Sequence, residues 1–289
     1  MVDIAVPEVD YTNYSNRQLV VVPLAVLAVA LLVILGWYVM TGAPANLGLE
    51  FTGGTELRVD VDGENPREQI ETAFSAEPES IQQVAADGAY IVSFGEGEVS
   101  STQLETEAAE AGFEILTIDQ VSPSFGGDTQ LMALGGVAAA FLGMSLLVFA
   151  MFRTFVPSIA VVASAFSDIM IPLAMMNLLG INLTLGTVAA LLMLIGYSVD
   201  SDILLNNSIL RRTGDFYEST HRAMRTGVTM TLTSMAAMAV MTVLAYIFGI
   251  QIMTAIGLIL VVGLAADLMN TYLLNVTLLR WYVHKGVKR

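Results

Sequence analysis

An apolar run from residue 184 to residue 205 is long enough to cross a bilayer, yet it carries two carboxylates, Asp200 and Asp202. A helix needs about 20 mainly apolar residues to span the hydrocarbon layer. A charged side chain at that depth costs about 3 kcal/mol even on insertion-based scales, so it usually faces a bundle interior or a wet cavity. The run therefore predicts a membrane protein whose function depends on buried acidic groups.

The rest of the composition agrees with a chain that lies mostly in a membrane. Of the 289 residues, 55% are hydrophobic and 13% are charged, and none is cysteine. The lack of cysteine excludes disulfides, thiolate metal sites and cysteine nucleophiles. The apolar residues fall in blocks of membrane-spanning length. These blocks predict six spans, at 18–40, 130–151, 157–179, 184–205, 227–248 and 253–282.

The basic residues orient these spans, because short cytoplasmic segments collect lysine and arginine. Ten of the twelve basic residues fall on one side of an alternating six-span path. They are Arg17, Arg153, Arg211, Arg212, Arg222, Arg225, Arg280, Lys285, Lys288 and Arg289. We therefore expect a multi-pass protein of the cell membrane with both termini in the cytoplasm. The expected division is a cytoplasmic N-terminus (1–17), a first transmembrane helix (18–43), an outer domain (44–128), a five-helix bundle (129–283) and a cytoplasmic C-terminus (284–289).

The expected outer domain is strongly acidic. Between Ala43 and Asp128 there are 18 Asp or Glu residues but only two basic residues, Arg58 and Arg67, and no lysine. Such a surface suits either a cationic partner or solvation in a salt-rich medium. The absence of lysine favours the second interpretation, and we expect an extremely halophilic source.

The pattern of the outer segment predicts a two-layer α+β domain. The expected elements are a strand at Thr55–Val61, a helix at Pro66–Phe74, a hairpin of Ser80–Ala86 and Ala89–Gly95 turning at Asp87-Gly88, a helix at Val99–Ala111 and a strand at Phe113–Val121. The dipeptide Asp-Gly suits a tight hairpin turn. The order βαββαβ is that of a ferredoxin-like fold, which by itself does not indicate a function.

A glycine-rich segment, Gly48-Leu-Glu-Phe-Thr-Gly-Gly-Thr55, lies where the chain leaves the first span for the outer domain. Gly53 and Gly54 permit backbone angles that are closed to other residues and let other segments approach closely. We interpret the segment as a hinge. No Gly-Lys-Ser/Thr sequence follows it, which argues against a phosphate-binding loop.

Three segments in this order resemble the SecF family of protein-export membrane proteins. The segment with Gly48, Phe51, Gly53 and Gly54 resembles the family signature GxDFxGG. Val121-Ser-Pro123-Ser-Phe-Gly126 resembles the segment before the second span, with Pro123 and Gly126 at matching positions. Gly196-Tyr-Ser-Val-Asp-Ser-Asp202 resembles the fourth-span motif. The resemblance covers nearly the whole chain and implies half of an RND-like bundle, a partner protein SecD and no enzymatic activity.

The resemblance also implies ion-coupling roles for Asp168, Asp200, Asp202 and Arg225. In bacterial members the fourth-span acid aligns with Ser201, which Asp200 and Asp202 flank. Residues two apart on a helix are rotated by about 200°, so these two carboxylates cannot face the same direction. We expect one to face the bundle interior and the other to face a cytoplasmic crevice or the partner subunit.

Each remaining intramembrane residue has a structural alternative. Asp168 matches a family acid of the third span, but it also suits a neutral carboxyl bonded to Ser164 or to a neighbouring helix. Arg225 matches a family arginine thought to work with the acid, but it also suits simple anchoring at the cytoplasmic surface. For Asp267 we expect a structural hydrogen bond to the fifth span, with a relay role, shared with Ser201, as the alternative.

Three functions remain open from the sequence. The preferred one is an accessory subunit that acts with SecD and a SecYE-type channel, using a proton or sodium gradient to draw an unfolded polypeptide outward. The alternatives are an RND-type small-molecule efflux transporter, which normally has twelve spans, and a scaffold without ion coupling. Membrane lipid is an expected partner and nucleic acid is not. His221 and His284 are too far apart in sequence to suggest a metal site, and no cofactor is expected.

Overall fold

The computed structural model describes residues 11–61, 63, 65–83, 88–95, 100–210 and 215–286. Among these residues, six helices are long and apolar enough to cross a membrane, which confirms the predicted number of spans. In chain order the elements are α1 (Asn16–Thr41), α2 (Leu49–Thr52), β1 (Gly54–Asp60), α3 (Pro66–Ala73), β2 (Ser80–Gln83), β3 (Tyr90–Phe94), α4 (Ser101–Glu110), β4 (Glu114–Val121), α5 (Pro123–Phe152), α6 (Phe155–Leu179), α7 (Leu185–Leu210), α8 (Phe216–Ile247), α9 (Gln251–Met269), a π-helical segment (Asn270–Asn275) and α10 (Val276–Gly286).

The membrane bundle has an inner and an outer set of helices. In their most apolar stretches, 56% of α6 and 50% of α7 is buried, compared with 6% of α5 and 11% of α8. The inner helices α6 and α7 pack on each other and on α9 through apolar side chains such as Val161, Leu194 and Leu260. The exposed surfaces of α1 and α5 are rich in leucine and valine, which suits contact with lipid.

The sixth span is not one uniform helix. The pattern of the sequence predicts a single span at 253–282, whereas α9 and α10 are joined by the π-helical segment Asn270–Asn275. A π-helical turn inserts an extra residue into a helix and is frequent at functional sites. Here it places Asn270, Thr271 and Asn275 inside the bundle, where all three are fully buried.

The outer domain is a four-stranded antiparallel sheet in the order β2-β3-β1-β4, with α3 and α4 on one face. This arrangement confirms the ferredoxin-like prediction. Alternate residues of the central strands point to one face, so Leu57 of β1 lies beside Val92 of β3. Together with Ile70 of α3 and Leu104 of α4 they form a fully buried apolar core.

Some predicted boundaries of the outer domain fall on residues that the structure does not describe. Asp87 of the predicted hairpin turn and residue 99 at the predicted start of the second helix lie outside the described residues, as do residues 84–86 of the first hairpin strand. Gly88 is described and has φ 77°, the left-handed angle that tight hairpin turns require. Helix α4 begins at Ser101, and the Ser100 hydroxyl caps it by accepting a hydrogen bond from the Gln103 amide at 3.3 Å.

The two junctions between the outer domain and the bundle differ from the sequence-based expectation. Helix α5 begins at Pro123, two residues after β4 ends, rather than at residue 130. Its first turns are too polar for a hydropathy window, but proline at the first helical position is favourable. At the other junction, the predicted hinge contains the single helical turn α2, which begins after Gly48 and ends at Thr52, just before Gly53.

Candidate functional site

Three carboxylates lie buried together inside the membrane bundle. Asp168 comes from α6, Asp202 from α7 and Asp267 from α9, and their exposed fractions are 1%, 0% and 2%. All three side chains are surrounded by the polar side chains of neighbouring helices. Three acids at membrane depth are costly to bury, so their retention needs a functional reason more than a structural one.

Asp168 is hydrogen-bonded on both of its carboxylate oxygens. The Ser198 hydroxyl of α7 donates to Oδ2 at 2.6 Å, and the Asn270 amide of the π-helical segment donates to Oδ1 at 2.6 Å. The hydroxyl of Ser164, the expected partner from the same helix, lies close to the carboxyls of Asp168 and Asp202 but makes no hydrogen bond among the described residues. Asp168 thus links α6 to α7 and to the sixth span.

Asp267 is bonded to a different helix from the one that we expected. The expectation was a hydrogen bond to the fifth span, which is α8, but the donor is the Ser201 hydroxyl of α7, at 2.8 Å from Oδ1 and 3.0 Å from Oδ2. The reason is rotational: α9 packs against both α7 and α8, and Asp267 lies on its α7 side. The same hydroxyl lies 3.0 Å from the Ser198 carbonyl, and with one proton it can serve only one acceptor at a time.

Asp202 has one satisfied and one unsatisfied oxygen. Its Oδ1 accepts hydrogen bonds from the Thr271 hydroxyl at 2.8 Å and from the Asn275 amide at 2.7 Å. Its Oδ2 is buried and has no hydrogen-bond partner among the described residues. The side chain of Asn206, one turn further along α7, is fully buried and also has no hydrogen-bond partner in the described part of the chain. An unpartnered carboxylate oxygen beside amide groups can accept a proton or ligate a small cation.

The Thr271 hydroxyl connects two of the carboxylates. It lies 2.8 Å from Oδ1 of Asp202 and 3.3 Å from Oδ1 of Asp267. Because a hydroxyl donates one proton, Thr271 bonds one carboxylate at the expense of the other. A change in the charge of Asp202 therefore changes the hydrogen bonding of Asp267 through the side chain of Thr271.

The two other predicted coupling residues lie outside this cluster. Asp200 is exposed, on the face of α7 opposite to Asp202, which answers which of the two acids faces the interior. Arg225 lies on an exposed face of α8. The hydrogen bonds found for the three buried carboxylates come from Ser, Thr and Asn side chains rather than from a cation.

Sequence reasoning missed most of the residues that bind these carboxylates. They are Ser198, Asn270, Thr271 and Asn275. The available signal was their spacing: Asp267, Asn270 and Thr271 follow the i, i+3, i+4 pattern that places side chains on one helix face. Polar residues at such spacing inside a span are as informative as the acids themselves.

The glycine-rich motif forms a closely packed junction in this structure, and its role as a hinge stays a prediction. Phe51 is buried, and Gly53 and Gly54 have φ 75° and 125°, angles that favour glycine. Gly126, near the start of α5, lies against the same turn: a Cβ there would be 2.8 Å from the Phe51 carbonyl oxygen. Gly48 is equally crowded, so the junction depends on small residues at these positions. Pro123, the other motif residue, is the first residue of α5.

Two family models match the chain. The model described as protein export membrane protein SecD/SecF, C-terminal, matches residues 101–285. The model described as the SecD/SecF GG motif matches residues 38–64, which include the junction around Gly48. Together they cover the glycine-rich junction, the carboxylate cluster and most of the bundle.

Curated relatives match along the whole chain. A protein-export membrane protein SecF of Haloferax volcanii is 71% identical, and one of Haloquadratum walsbyi is 65% identical, each with full coverage of both chains. A SecF of Pyrococcus furiosus is 37% identical over 93% of this chain and 92% of that protein. The first two organisms are halophilic archaea, in agreement with the source predicted from the acidic outer domain.

A solved structure shares the fold. The crystal structure of SecDF, a translocon-associated membrane protein from Thermus thermophilus, matches with a TM-score of 0.72 at 21% identity. The match covers 98% of this chain and 40% of that longer chain. At this identity the likeness establishes the fold alone, a bundle of six membrane helices with one outer domain.

Proposed function

The chain belongs to the SecD/SecF family of protein-export membrane proteins, and we propose that it couples ion binding at Asp202 to the export of unfolded polypeptides. The family consists of membrane subunits rather than enzymes, and membership sets aside the small-molecule efflux alternative. The observation that carries the proposal is the fully buried, unpartnered Oδ2 of Asp202. Among the described residues it is the one oxygen of the three buried carboxylates that accepts no hydrogen bond, and the Ser164 hydroxyl, which lies close to both Asp168 and Asp202, is also unbonded.

Ion binding at Asp202 would change the bonding of its neighbours. An ionised carboxylate holds the Thr271 hydroxyl and the Asn275 amide more strongly than a neutral one does, because charge-assisted hydrogen bonds are the stronger kind. When a proton or cation occupies Oδ2, the Thr271 hydroxyl can turn from Asp202 to Asp267. It then competes with the Ser201 hydroxyl as a donor to the Asp267 carboxylate. Occupancy at one oxygen thereby alters contacts between α7 and the sixth span.

The π-helical segment supplies an element that can respond to such a change. Thr271 and Asn275 both lie in it, and both bind Asp202. A π-helical turn has a neighbouring α-helical register, so a small change in bonding can shift the segment between two arrangements. Moving one elementary charge through 100 mV releases about 2.3 kcal/mol, which is enough to bias a two-state element.

The exposed face of α7 is consistent with a contact to SecD, the partner in the proposed assembly. Met193, Tyr197 and Asp200 follow one another at near-helical spacing on that face, and all are exposed in this chain. A carboxylate facing lipid is costly, so a protein surface with a cationic or hydroxyl group should cover Asp200. The related SecDF chain carries further sequence beyond the 40% matched here. A SecYE-type channel and the translocating polypeptide complete the proposed assembly, with both termini of this chain in the cytoplasm.

The test is the rate of secretion in cells that carry Asp202→Asn in place of the original chain. The substitution keeps the shape of the side chain but removes the site for a proton or cation. We expect export to fall by about tenfold or more, the size of effect of losing one functional buried charge, while the amount of assembled complex stays unchanged. Asp128→Asn, at an exposed position near the start of α5, is the matched control and should export normally. Normal export by Asp202→Asn would favour the scaffold alternative.

A further inference from the structure

The segment between α1 and the outer domain is bonded to the outer ends of the two helices that carry Asp168 and Asp202. The Asn177 amide of α6 donates to the Pro44 carbonyl at 2.9 Å. In the loop before α7, the Leu183 amide donates to the Asn46 carbonyl at 2.6 Å, and its carbonyl accepts from the Gly48 amide at 2.8 Å. We call this contact, formed by residues 44–53 with residues 177–185, the clasp.

Glu50 fastens the clasp to the first residue of α7. Its carboxylate accepts a hydrogen bond from the Leu185 amide at 2.5 Å. That amide belongs to the first turn of α7 and therefore has no acceptor within its own helix. A carboxylate at a helix N-terminus is further stabilised by the helix dipole, so this contact is stronger than an ordinary surface hydrogen bond.

Glycines allow the clasp to close without gaps. A Cβ on Gly48 would lie 2.8 Å from the methyl carbon of Thr184 and 3.1 Å from the Leu183 carbonyl oxygen. On the other side, Gly126 of α5 lies against the Phe51 carbonyl. Both chain crossings between the bundle and the outer domain therefore meet at the clasp. The chain continues from it directly into β1, an inner strand of the sheet.

Helices connect the clasp to the carboxylate cluster without an intervening loop. Leu185 and Asp202 are 17 residues apart in α7, a distance of about 26 Å along the helix axis. Asp168 and Asn177 are nine residues apart in α6, or about 14 Å. A displacement of either helix at the carboxylates is thus carried to the clasp, and from the clasp to β1.

We propose that the clasp transmits helix movement in the bundle to the outer domain, with Glu50 as the positioning residue that holds α7 to it. This inference rests on the proposed coupling function of Asp202. It assigns the glycine-rich motif a mechanical role, as a junction that stays closed while the helices behind it move. Loss of the Glu50 contact should leave the ion site intact. The position of the outer domain should then no longer depend on whether the ion site is occupied.

The first test is Glu50→Ala in the full chain with its natural partners, with secretion rate and complex abundance measured together. We expect export to fall by about fivefold to tenfold, as for loss of a charge-assisted hydrogen bond, with complex abundance unchanged. Glu105→Ala, at an exposed position on α4, is the matched control and should have no effect. Gly126→Ala, which presses on the Phe51 carbonyl, should lower export in the same way as Glu50→Ala.

The decisive test is reversible rescue. Leu47 and Leu183 form a parallel bridge in the clasp, and the chain has no other cysteine to interfere with Leu47→Cys and Leu183→Cys. Oxidation of this pair, directly or with a short thiol crosslinker, should restore export to Glu50→Ala, and reduction should remove it again. A simple folding defect would not respond in this way.

Two results of the crosslinking experiment would overturn the proposal. One is export that stays low in the crosslinked Glu50→Ala chain; the other is a block of export when the pair is crosslinked with Glu50 present, which would mean that the clasp must open. Asp202→Asn separates this failure from that of the proposed function. If Asp202→Asn loses export while Glu50→Ala retains it, the ion site stands and the clasp alone is refuted.

Discussion

The outer domain and the membrane bundle place their polar and apolar residues in opposite ways. The outer domain buries Leu57, Val92 and Phe94 and keeps most of its many acids at the surface. The bundle buries Asp168 and Asp202 and exposes apolar side chains on its outer helices. Each arrangement matches its solvent, because water rewards exposed charge while lipid tolerates exposed leucine. Neither water nor lipid accounts for the buried carboxylates, and replacing buried charge by apolar residues is often neutral or stabilising. Their presence is therefore better explained by function.

The largest expected effect concerns the outer core. Leu57→Ala removes a fully buried side chain at the centre of the sheet and should lower the free energy of unfolding of this domain by about 3 kcal/mol. The measurement is thermal unfolding of the purified full chain, followed by a probe on the outer domain. Leu116→Ala, on the exposed edge strand β4 where Leu116 is 43% exposed, is the control and should shift stability by less than about 0.5 kcal/mol. Similar losses for both would contradict the assignment of the core.

A smaller effect is expected at the hydroxyl that joins two carboxylates. Thr271→Val keeps the shape of the side chain but removes the proton shared between Asp202 and Asp267. One neutral-to-charged hydrogen bond corresponds to a change of about threefold to tenfold in export rate. Thr271→Ser, which restores the hydroxyl, should recover most of the activity. Failure of serine to rescue export would indicate that Thr271 acts only through packing.

The smallest expected effect lies at the surface of the outer domain. Burial raises the pKa of Glu56 above its usual value, a hydrogen bond from Ser93 partly opposes this rise, and the nearby Asp119 and Glu50 add smaller increases. A carboxyl whose pKa is higher in the folded state contributes stability below its unfolded value, and this contribution is lost as the pH rises through the folded value. Glu56→Gln should therefore raise the melting temperature at pH 7 by about 2 °C, and the gain should vanish below about pH 4.

Glu107 supplies a control of opposite sign for that prediction. Hydrogen bonds from the Ser75 side chain and backbone hold the pKa of Glu107 below its usual value. Its contribution to stability is present at pH 7 and is lost as the pH falls through the lowered folded value. Glu107→Gln should therefore slightly lower the melting temperature at pH 7. Shifts of the same sign in both variants would contradict the assigned electrostatics.

The spans and the outer domain were predictable because each has a strong periodic signal. Blocks of about 20 apolar residues predict the spans, and strand alternation around Leu57 predicts β1. The four-residue helix α2 was missed because one turn is too short to show a period. The start of α5 at Pro123 was missed because its first turns are polar.

The site was only partly predictable, for a geometric reason. The depth of Asp168 and Asp202 in the membrane follows from their position in a span. Which side of α7 faces inward depends on how neighbouring helices pack, and this packing buries Asp202 and leaves Asp200 exposed. The partner helix of Asp267 was predicted wrongly for the same reason. The order of the helices along the chain does not determine which of them packs against Asp267, and the one that does is α7, through Ser201. The Asn270 and Thr271 contacts were missed because neither residue belongs to a recognised motif.

The most direct test of ion coupling compares how the ion gradient changes export in two versions of the full complex. Membrane vesicles carrying either the original chain or Asp202→Asn would be supplied with the same substrate, with and without an imposed proton or sodium gradient. We predict that one of these gradients stimulates export by the original chain and has no effect on the Asp202→Asn chain. Equal stimulation of both chains would contradict the assignment of Asp202 as the coupling group.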